Sequence, residues 1–283
     1  MMTADIEINL RTANGWAELP SSVKQADGTP RFHLNFPVAL ADDQGARHLI
    51  TSEATHGYEP PTRNLIEHIL RPGDLFIDVG AHWGFFTMQA ATHPSGEIDV
   101  IAFEPELMNA TVLTENVARN KLANVTVVCA ACGHQAELAP LVTNSTMGHS
   151  IRGVGLPGRA LHGPMKWVSV VTLDTALVNL RVRAGRRLIL KIDAEGFEPN
   201  VVAGARALLE GGHVALIVWE RGNGFAEGTG RAAMVEMTAY LDACGFRHFR
   251  PQSYTDDGPL VAFDPQSDYV GNVFSCLPAL PLT

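Results

Sequence analysis

The chain has 283 residues, 46% of them hydrophobic and 18% charged, with a formal net charge of -9 at pH 7. That length and apolar content suffice for one large core, and an α/β fold of this size need not divide into two domains. The acidic balance excludes a general nucleic-acid surface, which needs clustered Lys and Arg against phosphates, and no apolar run is long enough to cross a membrane.

The first twenty residues carry Asp5, Glu7, Arg11 and Glu18, which do not suit a targeting segment, so a cytoplasmic location is expected. Farther on, Phe32, Leu34 and Phe36 alternate with polar positions, and Asp42-Asp43-Gln44-Gly45 signals a turn. Residues 1–57 are therefore expected to be a β-rich N-terminal extension to a main domain over 58–283. Such an extension suits covering a sheet edge, pairing with a second subunit in a homo-oligomer, or shaping a substrate entrance.

From residue 58 onward the pattern alternates helix and strand. A helix is expected over 61–70, closed by Pro72-Gly73, then a strand at 75–80, a helix at 84–92, a strand at 98–103, a helix at 106–121 and a strand at 125–131. After a loop come a short helix at 174–180, a strand at 188–192, a helix at 199–210, a strand at 214–219, a helix at 230–243 and a closing pair at 246–250 and 269–276. Short apolar strands between helices predict an α/β fold, a mainly parallel sheet covered on both faces.

The first core strand ends in a glycine turn, Asp78-Val79-Gly80-Ala81-His82-Trp83-Gly84-Phe85, that opens a helix. Gly80 and Gly84 are expected to let the backbone approach a ligand, and the helix start near Trp83 to favour a carboxylate or phosphate. Glu104 ends the next strand, 26 residues after Asp78 (104 − 78). It should lie beside the turn and accept hydrogen bonds from ribose hydroxyls. A dinucleotide fingerprint starting at Gly80 would need glycines at 82 and 85; His82 and Phe85 stand there, so a dinucleotide is disfavoured.

Four cysteines, Cys129, Cys132, Cys244 and Cys276, are too few and scattered for a disulfide framework. Cys129 and Cys132 have zinc spacing, but an odd offset in a strand puts them on opposite faces and no second pair completes a site. They are expected to be buried small residues. The segment Thr143 to Lys166 is a Gly- and Pro-rich loop carrying His149, Arg152, Arg159 and Lys166, expected to border the substrate side; its basic residues suit either plain solvation or contact with an anionic or sugar substrate.

The second charged landmark is Lys191-Ile192-Asp193-Ala194-Glu195-Gly196, where an apolar strand leaves the sheet on the edge that binds ligands. Asp193 is the first choice to face a reacting hydroxyl, as a base or as an oxygen ligand for a divalent cation. The competing assignment is that Asp193 or Glu195 caps the helix starting near Phe197, with Lys191 in a structural ion pair. His82 and His149 are further candidate bases.

Eight blocks in order carry a specific resemblance. They are Tyr58-Glu59-Pro60, Pro72-Gly73-Asp74, Asp78 to Gly84, Phe103-Glu104-Pro105, Thr172-Leu173-Asp174, Leu190 to Gly196, Gly204-Ala205 and Trp219-Glu220. Over about residues 58–220 the chain resembles the FkbM family of S-adenosylmethionine (SAM)-dependent methyltransferases. His82-Trp83 departs from the family, where Asn followed by a smaller aliphatic residue is commoner. The resemblance implies a Rossmann-like class I methyltransferase fold with a mainly parallel seven-stranded sheet. It also implies SAM as cofactor and O-methylation of a hydroxyl on a small molecule, secondary metabolite or glycan. The implied cofactor residues are Glu59, Asp78, Gly80, His82, Trp83, Gly84, Phe85, Glu104, Ala131 and Asp193. Asp193, Glu195 and His149 are the candidate catalytic residues, and Asp193 the candidate ligand should a divalent cation take part. A nitrogen- or peptide-directed methyltransferase and a non-catalytic SAM-binding module are the alternatives.

Overall fold

A computed structural model describes residues 10–142, 150–151, 165–180, 185–222, 228–253, 258–278 and 280. The extension opens with an antiparallel sheet of β1 (Arg11–Ala13), β2 (Trp16–Pro20) and β3 (His33–Pro37). Its β character stops there. Helix α1 (Gln44–Thr55) follows, capped by the Asp43 carboxylate, which accepts from the Gly45 N–H at 2.8 Å. Ala46, Leu49 and Ile50 form its buried stripe at helical spacing, a 3.6-residue period inside a stretch expected to be β-rich.

The main chain order is α2 (Pro60–Ile69), β4 (Leu75–Val79), α3 (Phe85–Ala91), β5 (Asp99–Phe103), α4 (Leu107–Arg119) and β6 (Val125–Val128). Then come β7 (Ala131–Cys132), β8 (Glu137–Val142), β9 (Ser150–Ile151), β10 (Met165–Val171) and α5 (Leu173–Asn179). The last part holds β11 (Leu188–Ile192), α6 (Glu198–Ala203), α7 (Arg206–Glu210), β12 (Val214–Arg221), α8 (Gly228–Ala243), β13 (Arg247–Pro251), β14 (Leu260–Ala262) and β15 (Gly271–Cys276).

The large sheet runs β14-β13-β15-β12-β11-β4-β5-β6. Strands β12 through β6 are parallel and the three at the other end antiparallel, so the seven expected strands are present and β14 adds a short eighth at the edge. This is the mainly parallel sheet covered on both faces that the sequence predicts. Side chains alternate between its faces with period two. Leu75, Ile77 and Val79 enter one core with α6, α7, α8 and the second sheet, while Phe76 enters the other with α2, α3, α4 and the extension.

The extension shares that second core rather than folding apart. Phe36 stacks on Trp83 with ring centroids 5.0 Å apart, and the Asn35 N–H donates to Asn116 Oδ1 of α4 at 2.6 Å. Among the described residues no helix is long and apolar enough to cross a membrane.

Two departures from the sequence reading have physical causes. Strand 125–131 ends at Val128, and Ala131-Cys132 pairs with β10 in a second sheet of order β7-β10-β8-β9, where a loop was expected. Pro140 inside β8, and apolar Leu138 and Trp167 exposed on the face turned away from buried Leu141 and Val170, erase the apolar-polar alternation that marks a strand. The helix expected over 199–210 breaks into α6 and α7 at Gly204. A Cβ on Gly204 would lie 1.9 Å from the Gly133 carbonyl oxygen, so the chain bends where the two backbones meet. The Asp174 carboxylate then accepts the Ala207 and Leu208 N–H groups at 3.0 and 3.1 Å and starts α7.

Candidate active site

The parallel strands fix where a ligand can enter. From β4 the chain builds outward through β5 to β6, then returns beside β4 and builds the other way through β11 to β12. The exits of β4 and β11 are thus a topological switch point, where the first turns diverge and leave a crevice. A pocket of ≈ 920 Å³, open mouth included, lies there, walled by residues of both exits, of the β5 exit and of the second sheet.

The glycine turn is shaped by its protein neighbours. Gly80 has φ +78°, and a Cβ on it would lie 1.8 Å from the Asp193 carbonyl oxygen. The Asp193 N–H returns a hydrogen bond to the Val79 carbonyl at 2.9 Å, so the glycine lets the two strand exits run in contact. Gly84, the N-cap of α3, has φ +90°, and a Cβ there would meet Leu113 Cδ1 at 2.3 Å. Gly80 lines the pocket and Gly84 does not. The Cβ positions these glycines leave vacant are taken by Asp193 and Leu113, so packing within the protein requires glycine at both.

His82 holds φ +52°, a left-handed conformation tolerated by Asn and His better than by most side chains. Its N–H donates to Glu104 Oε2 at 2.8 Å, and its ring stacks on the Trp83 indole at 4.8 Å. Trp83 is fully buried between His82 and Phe36, with Nε1 donating to Asn109 Oδ1 at 3.1 Å. It anchors the extension at the pocket wall, and α3 begins two residues later, at Phe85. Phe85 also lines the pocket, its ring edge-on to Phe32 and Tyr58.

Glu104 is nearly fully buried. Oε2 takes the His82 N–H and Oε1 the Glu106 N–H at 2.9 Å, tying the glycine turn to the start of α4. Burial pushes its pKa up to about 7 against the lowering effect of the Glu106 and His82 N–H groups. A carboxylate offers about four acceptor sites; the Asn109 side chain also hydrogen-bonds Glu104, which leaves about one for a ligand. Beyond it, Ala130, Ala131, Cys132, Leu141 and Ile151 form an apolar wall. Cys132 is buried as expected; Cys129 is exposed, because β6 has ended before it.

Under α3 the site becomes charged. Asp78 and Lys191 are direct partners across β4 and β11, both buried. Asp78 Oδ2 accepts from the Thr87 hydroxyl at 2.6 Å, while Oδ1 is buried with no partner; burial, partly offset by Lys191, raises its pKa. The Lys191 ammonium lies 4.7 Å from the Phe86 ring centroid and donates to Asp193 Oδ2 at 2.9 Å. Burial acts to lower its pKa, but Asp193, Glu59 and Asp78 outweigh that and raise it, so it stays charged.

Asp193 and Glu195 both line the pocket. Neither caps the next helix: α6 begins after Phe197 with no side-chain cap. Glu198 instead reaches back, its Oε1 accepting from the Ala194 N–H at 2.8 Å and the Gly196 N–H at 3.3 Å. Glu220 at the β12 exit joins them, and one carboxylate oxygen each of Asp193, Glu195 and Glu220 lies within 4.8 Å of the others. Sequence reasoning took Glu220 only as part of a resemblance block. It is the first charge after the apolar run Val214–Trp219, as the penultimate residue of β12, and that position is the signal the sequence offers.

Glu59 stands apart from the pocket lining. It is the left-handed N-cap of α2, its Oε2 accepts from Asn272 Nδ2 at 2.6 Å, and burial raises its pKa with Lys191 opposing. Lys166, expected to meet a substrate, pairs with the Glu106 carboxylate that caps α4. His149, Arg152 and Arg159 lie outside the described residues.

Comparison with known proteins places this arrangement in context. The Methyltransferase FkbM domain profile matches residues 78–248. Among solved structures, the methyltransferase FkbM from Methylobacillus flagellatus KT is 13% identical with a TM-score of 0.46, covering 82% of this chain and 54% of that one. The chain thus spans about half the length of that protein. SMU.1697c from Streptococcus mutans, in complex with SAH, is 12% identical with a TM-score of 0.43 over 77% of this chain and 98% of that one. The precorrin-6y C5,15-methyltransferase from Geobacter metallireducens GS-15 is 12% identical with a TM-score of 0.42, over 82% and 92%. No curated protein matches the sequence.

Proposed function

The chain belongs to the FkbM methyltransferase family, and from that premise we propose that it moves a methyl group from SAM to a hydroxyl oxygen of a small molecule, secondary metabolite or glycan. The observation that carries the reading is one pocket holding two under-used acidic groups, Asp78 and Glu104, with a third carboxylate, Asp193, on its wall. A buried acceptor without a partner is costly, and Asp78 Oδ1 is one that a cationic ammonium would satisfy. The acceptor site left on Glu104 suits a ribose hydroxyl, and the wall of Ala130, Ala131, Cys132, Leu141 and Ile151 suits a flat base.

When bound, SAM supplies an electrophilic sulfonium methyl that leaves a neutral thioether once transferred. The protein's task is to hold the acceptor oxygen in line and take its proton as the C–O bond forms and the C–S bond breaks. Asp193 suits that task because Lys191 fixes its Oδ2 and leaves Oδ1 outside the ion pair. Glu198 holds the loop behind it.

Labelled SAM with a panel of hydroxyl and amine acceptors tests the reading. Asp193→Asn should keep SAM affinity and lower transfer at least about a hundredfold. An unchanged rate removes Asp193 from the chemistry and favours a nitrogen acceptor, which needs no carboxylate base. Full SAM binding with no transfer to any acceptor favours a non-catalytic module.

A further inference from the structure

Tyr58 lines the pocket and is 8% exposed. Its N–H donates to Glu53 Oε1 of α1 at 2.5 Å, and its ring packs against His48, Phe85 and Phe86 with centroids 6.0, 5.2 and 5.9 Å away. A phenylalanine would make the same ring contacts. Packing therefore explains the ring and leaves the hydroxyl without a reason.

The hydroxyl donates to the Glu59 carboxylate, which Asn272 Nδ2 also holds, at 2.6 Å. Burial first, then the charges of Glu59, Asp193 and Glu220, push its pKa well above the usual phenol value, so it stays un-ionised. Neither Asp78 nor Glu104, the groups given to the cofactor, is among the charges that act on it most. Phe86, against which Tyr58 packs, also carries the Lys191 ammonium at 4.7 Å, and Lys191 holds Asp193 Oδ2. Tyr58 thus stands beside the Lys191–Asp193 ion pair, on the acceptor side of the pocket.

A phenol has one proton and two lone pairs. With the proton committed to Glu59, Tyr58 faces the pocket as an acceptor only. The reacting hydroxyl also has a single proton, which goes to Asp193, while its lone pair must stay open to the methyl group. Tyr58 therefore needs a second donor on the same molecule. Because Tyr58 and Lys191 both sit on Phe86, the two donors must lie close together on that molecule. We propose that the Tyr58 oxygen accepts from a hydroxyl adjacent to the one that reacts, and so selects a vicinal diol, such as a sugar ring carries, over a lone alcohol. A lone alcohol would leave the Tyr58 oxygen unpaired once water is excluded, and that loss is what rejects it. The proposal rests on the methyltransferase reading with Asp193 as base.

The test is methyl transfer from labelled SAM by the full-length protein to matched pairs: a cyclohexane vicinal diol against cyclohexanol, and methyl glucosides against their monodeoxy forms. Wild-type protein should favour the diol member in kcat/KM at least about tenfold. Tyr58→Phe keeps the ring contacts and should lose that preference, KM for the diol rising about tenfold and the lone alcohol changing less than about threefold. SAM affinity, read by calorimetry, and the melting temperature should hold. An undiminished preference in the variant overturns the proposal. So does an equal loss on both members with a lower melting temperature, which makes the hydroxyl a strut for Glu59. A loss of SAM affinity overturns it by assigning the hydroxyl to the cofactor, and faster transfer to the amino alcohol analogue than to the diol overturns it in favour of an amine donor. Transfer without preference for the diol sinks this proposal alone, whereas SAM binding with no transfer to any acceptor sinks the methyltransferase reading and the proposal with it.

Discussion

Changing Glu104 to Gln should remove a pH dependence as well as affinity. In the free protein its pKa is about 7 against an ordinary 4.5, chiefly from burial. The difference, 7 − 4.5 = 2.5 units, corresponds to roughly 3 kcal/mol at about 1.4 kcal/mol per unit. A raised carboxyl keeps its proton in the folded state after the unfolded chain has released it, so this group makes the free protein less stable as pH rises from 4.5 to 7. SAM affinity should run the other way. The ionised carboxylate accepts from a ribose hydroxyl, so each pH unit below the pKa should weaken binding up to about tenfold.

Gln keeps one carbonyl oxygen for either the His82 or the Glu106 N–H and sets its amide against the other; losing the charged acceptor for the ribose should cost about 1.5–3 kcal/mol of binding. Calorimetry of both proteins between about pH 5.5 and 8.5 checks this. The amine of SAM titrates near the top of that range but is common to both curves. A flat wild-type affinity, or a variant that follows the wild-type curve, would refute the assignment of Glu104 to the ribose.

Two further outcomes follow from the same geometry. Gly80→Ala combines a left-handed backbone with a Cβ 1.8 Å from the Asp193 carbonyl; the melting curve should show a loss of at least about 3 kcal/mol, and a loss under about 1 kcal/mol would mean that the two strand exits are not in contact. Lys191→Met leaves Asp78, Asp193 and Glu59 without their shared cation and should cost about 3–5 kcal/mol at neutral pH. The deficit should shrink as pH falls and the carboxylates take up protons. A variant equally destabilised at pH 5.5 and 8 would contradict that account of the pKa shifts.

Much of this fold was legible because its core strands are short and apolar on both faces. Leu75 to Val79 and Leu188 to Ile192 bury every side chain, and each ends in a carboxylate or glycine that has no place in a core strand. That contrast marks a site as clearly as a motif does. The second sheet was illegible for the opposite reason: β8 carries Pro140 and shows apolar side chains to both core and solvent, so its period vanished. Distances across the fold were hidden too. Nothing local to Gly80 says that its missing Cβ faces Asp193, 113 residues on (193 − 80). Nor does the spacing around Glu198 reveal that it turns back to hold the Asp193 loop instead of leaving Asp193 or Glu195 to cap α6.

The central claim is that the pocket at the β4 and β11 exits holds SAM, and titration of wild-type protein with SAM and its demethylated product by calorimetry tests it most directly. The account predicts one site per chain for both ligands, and no competing heat from a nicotinamide dinucleotide. Absence of heat or thermal shift with either ligand at millimolar concentration, together with tight binding of the dinucleotide, would contradict it.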